Sequence, residues 1–266
     1  MKVIHSGGMM EAIKYRGAKG GRKLPRAQKG KPSTEARARL NEQEAWARLV
    51  RLMNCNFFRD RGDLFMVLTH EDEPDEETAK RRVSNFFRRV QYYRDKHGMT
   101  ELKYICVDER QGQWHHHMMM SAMDADTIRE LWGHGNVRVE LVDDRENYRD
   151  TARYFLQADK PPKGDPEADS LKSPREKGKR RWRSSQNLDQ PVIEVREIPA
   201  GQLAKPPKAP KGYRLLPDWK MWADDMGNIH QRYTCVRADG KKGKVKKHEG
   251  TRRKKRKAAR KKGRRG

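Results

Sequence analysis

The sequence predicts an α+β fold, in which helices pack on one side of an antiparallel sheet. Three observations lead to this prediction. Short apolar runs of strand length alternate with amphipathic stretches of helical length, most strands are separated by only one helix, and two strands are joined directly by a polar reversal. From residue 63 onward the predicted order is strand, helix, hairpin, helix, strand, helix.

Hydrophobic spacing predicts the first three elements. Residues 34–53 carry apolar side chains near helical spacing and predict a helix. The apolar run at 63–70 has the length of a buried strand. Apolar positions then recur every three or four residues over 75–97, ahead of Gly98, which is typical of one long amphipathic helix.

The central part of the chain predicts a hairpin and a short helix. Strands at 102–108 and 114–121 flank the reversal ERQGQ. After them, Asp124 or Asp126 can cap a helix whose buried face includes Trp132.

Two further elements complete the order. Valine and leucine alternate with polar residues over 137–143, which predicts a half-buried strand, and residues 145–157 predict a helix because they contain no helix breaker. The whole order is ferredoxin-like in outline. After residue 160, only PVIEVREI and the stretch from GYRLLPDW to HQRYTC predict strands, and we expect these to be peripheral.

Positive charge is concentrated at the two ends of the chain. The net charge is +25, of which residues 1–32 contribute +8 and residues 241–266 contribute +15, so the rest carries about +2. Blocks of like charge repel themselves and bury little apolar area, so both ends are predicted to be disordered. Between them we expect a folded domain at 33–200 and a peripheral extension at 201–240.

The basic tail is suited to binding a polyphosphate such as nucleic acid. The predicted nucleic-acid contacts are its densest basic run, Arg252, Arg253, Lys254, Lys255 and Arg256. A solubilising end and a localisation signal are the alternative interpretations.

Cysteine usage and hydropathy predict a cytoplasmic protein with no membrane partner. Cys55, Cys106 and Cys235 are not closely spaced, which argues against a disulfide scaffold and a cysteine-based zinc ribbon. No apolar run approaches the roughly twenty residues that a membrane helix needs, and the N-terminus lacks the apolar core of a signal peptide.

Three consecutive histidines are the most unusual motif. Side chains alternate along a strand, so His115 and His117 share one face while His116 points to the other. Two imidazoles on one face can bind one cation, and Glu109, on the paired strand across the turn, could supply a third ligand. This donor set suits Mn²⁺ or Mg²⁺ with open positions for phosphate oxygens, without excluding zinc. The alternative is two histidines that merely end a sheet.

Phosphodiester chemistry would also need a nucleophile, and the chain contains no convincing Ser-His or Cys-His arrangement. Tyr148 and Tyr154 lie on the last predicted helix, where a tyrosine is ordinarily a core residue. Six positions on a helix correspond to a rotation of roughly 240 degrees, so the two cannot face one metal. Tyr148 shares a stripe with Ala152 and Phe155, which predicts that Tyr148 packs on the sheet.

Five stretches, in their order, resemble the HUH endonucleases that initiate rolling-circle replication, namely the phage and plasmid replication-associated proteins. They are NCNFFRDRGDLFMVLTH, CVDERQGQWHHHMMM, LWGHGNVRVELVD, ARYFLQ and RRWRSSQNLDQP, within roughly residues 45–195. The resemblance implies that 33–200 is an HUH-type endonuclease domain, with a five-stranded antiparallel sheet whose central strand carries the His-x-His motif.

The resemblance also implies roles for individual residues. His115, His117 and Glu109 would hold the divalent metal, and Tyr154 would attack single-stranded DNA at a replication origin. The products would be a 5′-phosphotyrosine link and a free 3′-OH for a host polymerase. No helicase motif follows, so a host helicase is also expected as a partner.

Two positions depart from the family pattern. The middle of the histidine motif, usually hydrophobic, is His116, and the lysine that commonly lies three residues after the tyrosine is replaced by Gln157. Lys160 or Arg153 would then have to assist the tyrosine. A relaxase or transposase of the same fold, and a non-catalytic nucleic-acid-binding protein, are the alternative functions.

Overall fold

The computed structural model describes residues 1–16, 35–111, 113–144, 147–156, 182–223 and 227–238. Its strands are β1 (Lys2–Ser6), β2 (Met9–Lys14), β3 (Leu64–Thr69), β4 (Tyr104–Gln111), β5 (Gln113–Met120), β6 (Val137–Leu141), β7 (Arg183–Ser184), β8 (Val192–Val195), β9 (Tyr213–Leu215), β10 (Lys220–Ala223) and β11 (Ile229–Arg237). Its α-helices are α1 (Glu35–Asn56), α2 (Glu76–Lys96), α3 (Ala125–Trp132) and α4 (Arg149–Leu156).

Five strands form the sheet that organises the middle of the chain. They lie in the order β6-β3-β5-β4-β7, and every neighbouring pair is antiparallel. The chain order β3-α2-β4-β5-α3-β6 is the ferredoxin-like one, so the predicted fold class is confirmed. The histidine strand β5 is central, as the resemblance implied.

Helices cover both faces of this sheet, whereas we expected them on one side. The two helices of the ferredoxin-like unit, α2 and α3, share a core with Met66, Cys106 and Met118 on one face. On the opposite face, α1 and α4 share a core with Ile105 and Met119. Adjacent residues of β4 and β5 thus point into different cores, because side chains alternate along a strand.

Residues 2–14 correct the expectation that the whole segment 1–32 is disordered. They form the hairpin β1–β2, whose strands pair in register from Lys2 with Ile13 to Ser6 with Met9. The reason is local, since most of the basic residues of this segment follow residue 14 and the average charge conceals an apolar start. Residues 17–34 lie outside the described part of the chain.

The N-terminal hairpin belongs to a second, six-stranded sheet. Its order is β10-β11-β2-β1-β8, and β9 also pairs with β11. The strands expected in a peripheral extension therefore pair with the start of the chain. They share a small apolar cluster of their own with it, built from Val3, Met10, Ala12, Tyr233 and Cys235.

The last helix of the site begins later than the sequence suggested. We expected a helix over 145–157, but α4 begins at Arg149. Asn147 and Tyr148 have φ angles of 55° and 56°, in the left-handed region, which is incompatible with an α-helix. Tyr148 therefore precedes the helix rather than lying on it.

Among the described residues, no helix is both long enough and apolar enough to cross a membrane. The basic tail, including Arg252, Arg253, Lys254, Lys255 and Arg256, lies outside the described residues.

Candidate active site

Strand pairing brings the predicted ligands to one face of the sheet. In the register of β4 with β5, Glu109 lies directly opposite His115, and Val107 lies opposite His117. Side chains at opposed positions of an antiparallel pair share a face. Glu109, His115 and His117 therefore all point towards the side that α1 and α4 cover.

His117 and Glu109 are in direct contact. His117 Nε2 lies 2.9 Å from Glu109 Oε2, and the two side chains are only 6% and 10% exposed. Burial lowers the pKa of His117, although the Glu109 carboxylate opposes that shift. A neutral imidazole beside a carboxylate can either share a hydrogen bond or bind a common cation.

His115 does not converge on the other two side chains. Its ring is nearly parallel to that of His117, at 12°, but the ring centroids are 6.4 Å apart. His115 Nδ1 instead lies 2.9 Å from the backbone oxygen of Gln113. Over the described ranges, no three His, Cys, Asp or Glu side chains are close enough to hold a metal ion as they stand.

The donor chemistry nevertheless fits a divalent cation. Two imidazoles and one carboxylate, all on one face, are ligand types that bind Mn²⁺ and related ions in proteins. His117 and Glu109 already meet, and His115 is partly exposed, so rotation about its side-chain bonds is the change that binding requires.

Tyr154 reaches this group from α4. Its Oη lies 3.3 Å from Nδ1 of His117, on the opposite side of the ring from Glu109, and the two rings meet edge to face. Its side chain also lies against Phe65 of β3. Tyr154 is 51% exposed, which leaves room for a substrate. Burial first, and the Glu109 carboxylate second, raise the pKa of Tyr154.

Tyr148 is separated from the site. It is 2% exposed, and its hydroxyl donates a hydrogen bond to the backbone oxygen of Phe57 at 2.9 Å. Burial raises the pKa of Tyr148 strongly. It packs with Ala152 and Phe155 in one core, as the sequence predicted, although it lies before the helix.

The expected assistants of the tyrosine are not at the site. Arg153 Nη1 donates to Asp150 at 3.2 Å, and the guanidinium lies over the ring of Trp46, 5.3 Å from its centroid. Lys160 and Gln157 lie outside the described residues.

Sequence reasoning missed a polar cluster on the other face of the sheet. His116 points away from His115 and His117, as expected, but it contacts two buried polar side chains, His70 and Asp108. The available signal was that Asp108 and His116 occupy positions facing a core of α2 and α3 that is otherwise apolar.

One protein family matches the segment that builds this site. Residues 63–159 match the model of a family described as replication-associated proteins of the ORF2 type, which covers less than half of the chain. The matched segment runs from the start of β3 through α4 and contains Glu109, His115, His117 and Tyr154. This segment is therefore similar to replication-associated proteins. No curated protein and no solved structure gives a significant match to the chain.

Proposed function

We propose that this protein nicks and rejoins single-stranded DNA at a replication origin and so initiates rolling-circle replication. One observation carries the proposal: Tyr154 Oη, His117 and Glu109 form a row of contacts, at 3.3 Å and 2.9 Å, inside the segment that resembles replication-associated proteins. An exposed tyrosine hydroxyl beside a histidine and a carboxylate is a suitable nucleophile for a phosphodiester.

Tyr154 is the attacking group in this proposal. Its oxygen forms a bond to phosphorus while the bond from phosphorus to the 3′ oxygen breaks, which leaves a 5′-phosphotyrosine link and a 3′-OH. The phenolic proton is lost and the departing 3′ oxygen takes one up. Because the tyrosyl ester retains the energy of the broken bond, a 3′-OH can later attack it and restore the strand.

His117 orients the nucleophile. When Nε2 of His117 acts as a ligand, its ring proton lies on Nδ1, the atom 3.3 Å from Tyr154 Oη. A hydrogen bond donated to Oη favours the phenolate and opposes the effect of burial on the pKa of Tyr154. The edge-to-face contact between the rings, 4.8 Å between centroids, restricts the position of the phenol.

His115, His117 and Glu109 would hold the divalent cation, Mn²⁺ or Mg²⁺. The bound cation would polarise a non-bridging oxygen of the phosphate and so stabilise the transition state. Glu109 is 9% exposed and would pair its negative charge with the cation, so that the carboxylate no longer opposes ionisation of Tyr154.

The histidine pair is tested by substitution. His115→Ala and His117→Ala should each lower the rate of Mn²⁺-dependent nicking of single-stranded origin DNA by at least about 100-fold, since each removes one ligand. Glu109→Ala should be partly rescued by excess Mn²⁺. His97→Ala, which removes an exposed histidine at the end of α2, is the matched control and should nick normally. Unchanged nicking in His115→Ala or His117→Ala would refute the proposed metal site.

A further inference from the structure

A chain of buried polar contacts crosses the sheet on the face opposite the candidate active site. Its centre is His116, which is fully buried. His116 Nδ1 lies 2.7 Å from Asp108 Oδ1, and His116 Nε2 lies 2.9 Å from Nε2 of His70, which is 4% exposed. Both ring nitrogens of His116 are therefore engaged, each by a different strand or its end.

The direction of every hydrogen bond in this chain follows from one arginine. Arg82 can only donate, so His70 Nδ1, 3.2 Å from Arg82 Nη1, must accept. The proton of a neutral His70 then lies on Nε2 and is donated to His116 Nε2. His116 in turn carries its proton on Nδ1 and donates it to Asp108. The geometry assigns opposite tautomers to the two histidines.

Both ends of the chain are attached to α2. At one end, Arg82 forms a two-pronged ion pair with Asp72, at 2.5 and 2.8 Å. At the other end, Arg183 of β7 donates to Asp108 at 2.5 Å and also to Ser84 Oγ at 3.2 Å. Arg82 and Ser84 are two residues apart on α2, so the contacts close a loop through the helix and the sheet.

The contacts with Arg183 give a role to the stretch RRWRSSQNLDQP, which the proposed function does not otherwise use. This stretch supplies β7, which pairs with β4 through Cys106 opposite Arg183. Its arginine thereby reaches the carboxylate that holds His116.

The position of His116 between the two site histidines gives the network its consequence. His115 and His117 leave the strand on one face and His116 on the other, so all three are attached to the same short piece of backbone. Asp108 lies opposite His116 in β4, and Glu109 lies opposite His115. Two consecutive carboxylates of β4 therefore hold the two faces of β5.

We infer that His70, His116, Asp108 and Arg183 form a positioning network that sets the orientation of β5, and hence of the His115 and His117 rings relative to Glu109. The inference rests on the proposed function insofar as these rings serve as metal ligands. None of the four side chains touches the substrate side of the sheet, so they act only through β5.

Substitutions at His70 test the network without altering a proposed ligand. His70→Leu removes the donor to His116, whereas His70→Gln keeps an amide nitrogen near the position of Nε2. Met66→Ala is the matched control, because Met66 is a fully buried residue of β3 in the same core and its loss is destabilising without touching the network. All variants are compared at a temperature where circular dichroism shows them folded.

Two measurements on the full chain decide the question. In ¹H–¹⁵N spectra of the imidazole rings, His116 should be the Nδ1–H tautomer and His70 the Nε2–H tautomer. The ring signals of His115 and His117 should shift in His70→Leu but not in His70→Gln or Met66→Ala. Titration with Mn²⁺ alone should show affinity weakened roughly tenfold in His70→Leu and changed less than about twofold in the other two.

Each result has a definite meaning. Unchanged His115 and His117 signals in His70→Leu, or equal effects of His70→Leu and Met66→Ala, would overturn the inference and leave the network a purely structural one. If the unsubstituted protein binds no Mn²⁺, the proposed metal site fails, while the ring signals still decide whether the network positions these two side chains.

Discussion

At the scale of single residues, the histidine triplet is divided between two functions by the alternation of one strand. The outer two histidines face Glu109 and Tyr154, and the middle one is part of a buried polar network. A histidine at a buried position is tolerated only when both ring nitrogens are paired, because unpaired buried polar atoms cost free energy.

Replacement of His116 should therefore destabilise the fold. His116→Ala leaves His70 Nε2 and Asp108 Oδ1 without their partner and opens a cavity, so the free energy of unfolding should fall by about 3 kcal/mol. Urea denaturation measures the change. His97→Ala, at an exposed position, should change it by less than about 0.5 kcal/mol. Equal stability of the two variants would mean that the network contributes nothing to the fold.

Alternation predicted which face each histidine occupies, but it could not predict the partners of His116. His70 is 46 residues away along the chain, and Arg183 is 75 residues from the Asp108 that it holds. Such contacts depend on strand order and register, which local patterns do not determine. The same limit applies to His115, whose ring orientation depends on a rotamer rather than on its position in the strand.

At the scale of elements, helix boundaries follow from capping and from single backbone angles. Of the two aspartates that could cap α3, the structure selects Asp124, whose carboxylate accepts from the backbone N–H of Thr127 at 2.8 Å. The start of α4 was placed too early because propensity does not reveal the positive φ angles of Asn147 and Tyr148. The N-terminal hairpin was missed because the charge of 1–32 was averaged over the whole segment.

The cap of α3 provides a paired test. Asp124→Ala removes the side-chain acceptor of the first turn and should lower the free energy of unfolding by about 1 kcal/mol. Asp126→Ala removes only an exposed ion pair with Arg129 and should cost less than about half as much. Both values come from thermal or urea denaturation. A larger loss in Asp126→Ala would contradict the assignment of the cap.

At the scale of the whole molecule, two antiparallel sheets and a strongly basic end are combined in one chain. The order of elements from β3 to β6 could be predicted because hydrophobic periodicity is local and the topology is common. The pairing of the first residues with strands beyond residue 190 could not, since it joins the two ends of the chain.

Deletion of residues 241–266 should weaken DNA binding and make its dependence on salt less steep. This segment carries sixteen basic residues and one acidic residue, and cations that contact phosphates displace counterions. The position of the nick should stay the same, because phosphate contacts carry no sequence information. Binding measured between about 50 and 200 mM salt gives the slope, and a shifted nick would show that the tail reads sequence.

The central claim is that Tyr154 is the nucleophile, and peptide mapping of a trapped covalent complex tests it most directly. Single-stranded origin DNA carrying its label on the 3′ side of the nick is incubated with Mn²⁺ and the protein, and the labelled adduct is digested and sequenced. We predict a nucleotide on Tyr154, no adduct from Tyr154→Phe, and a normal adduct from Tyr148→Phe and from Tyr92→Phe, an exposed tyrosine of α2. An adduct on Tyr148, or one that persists in Tyr154→Phe, would contradict this account.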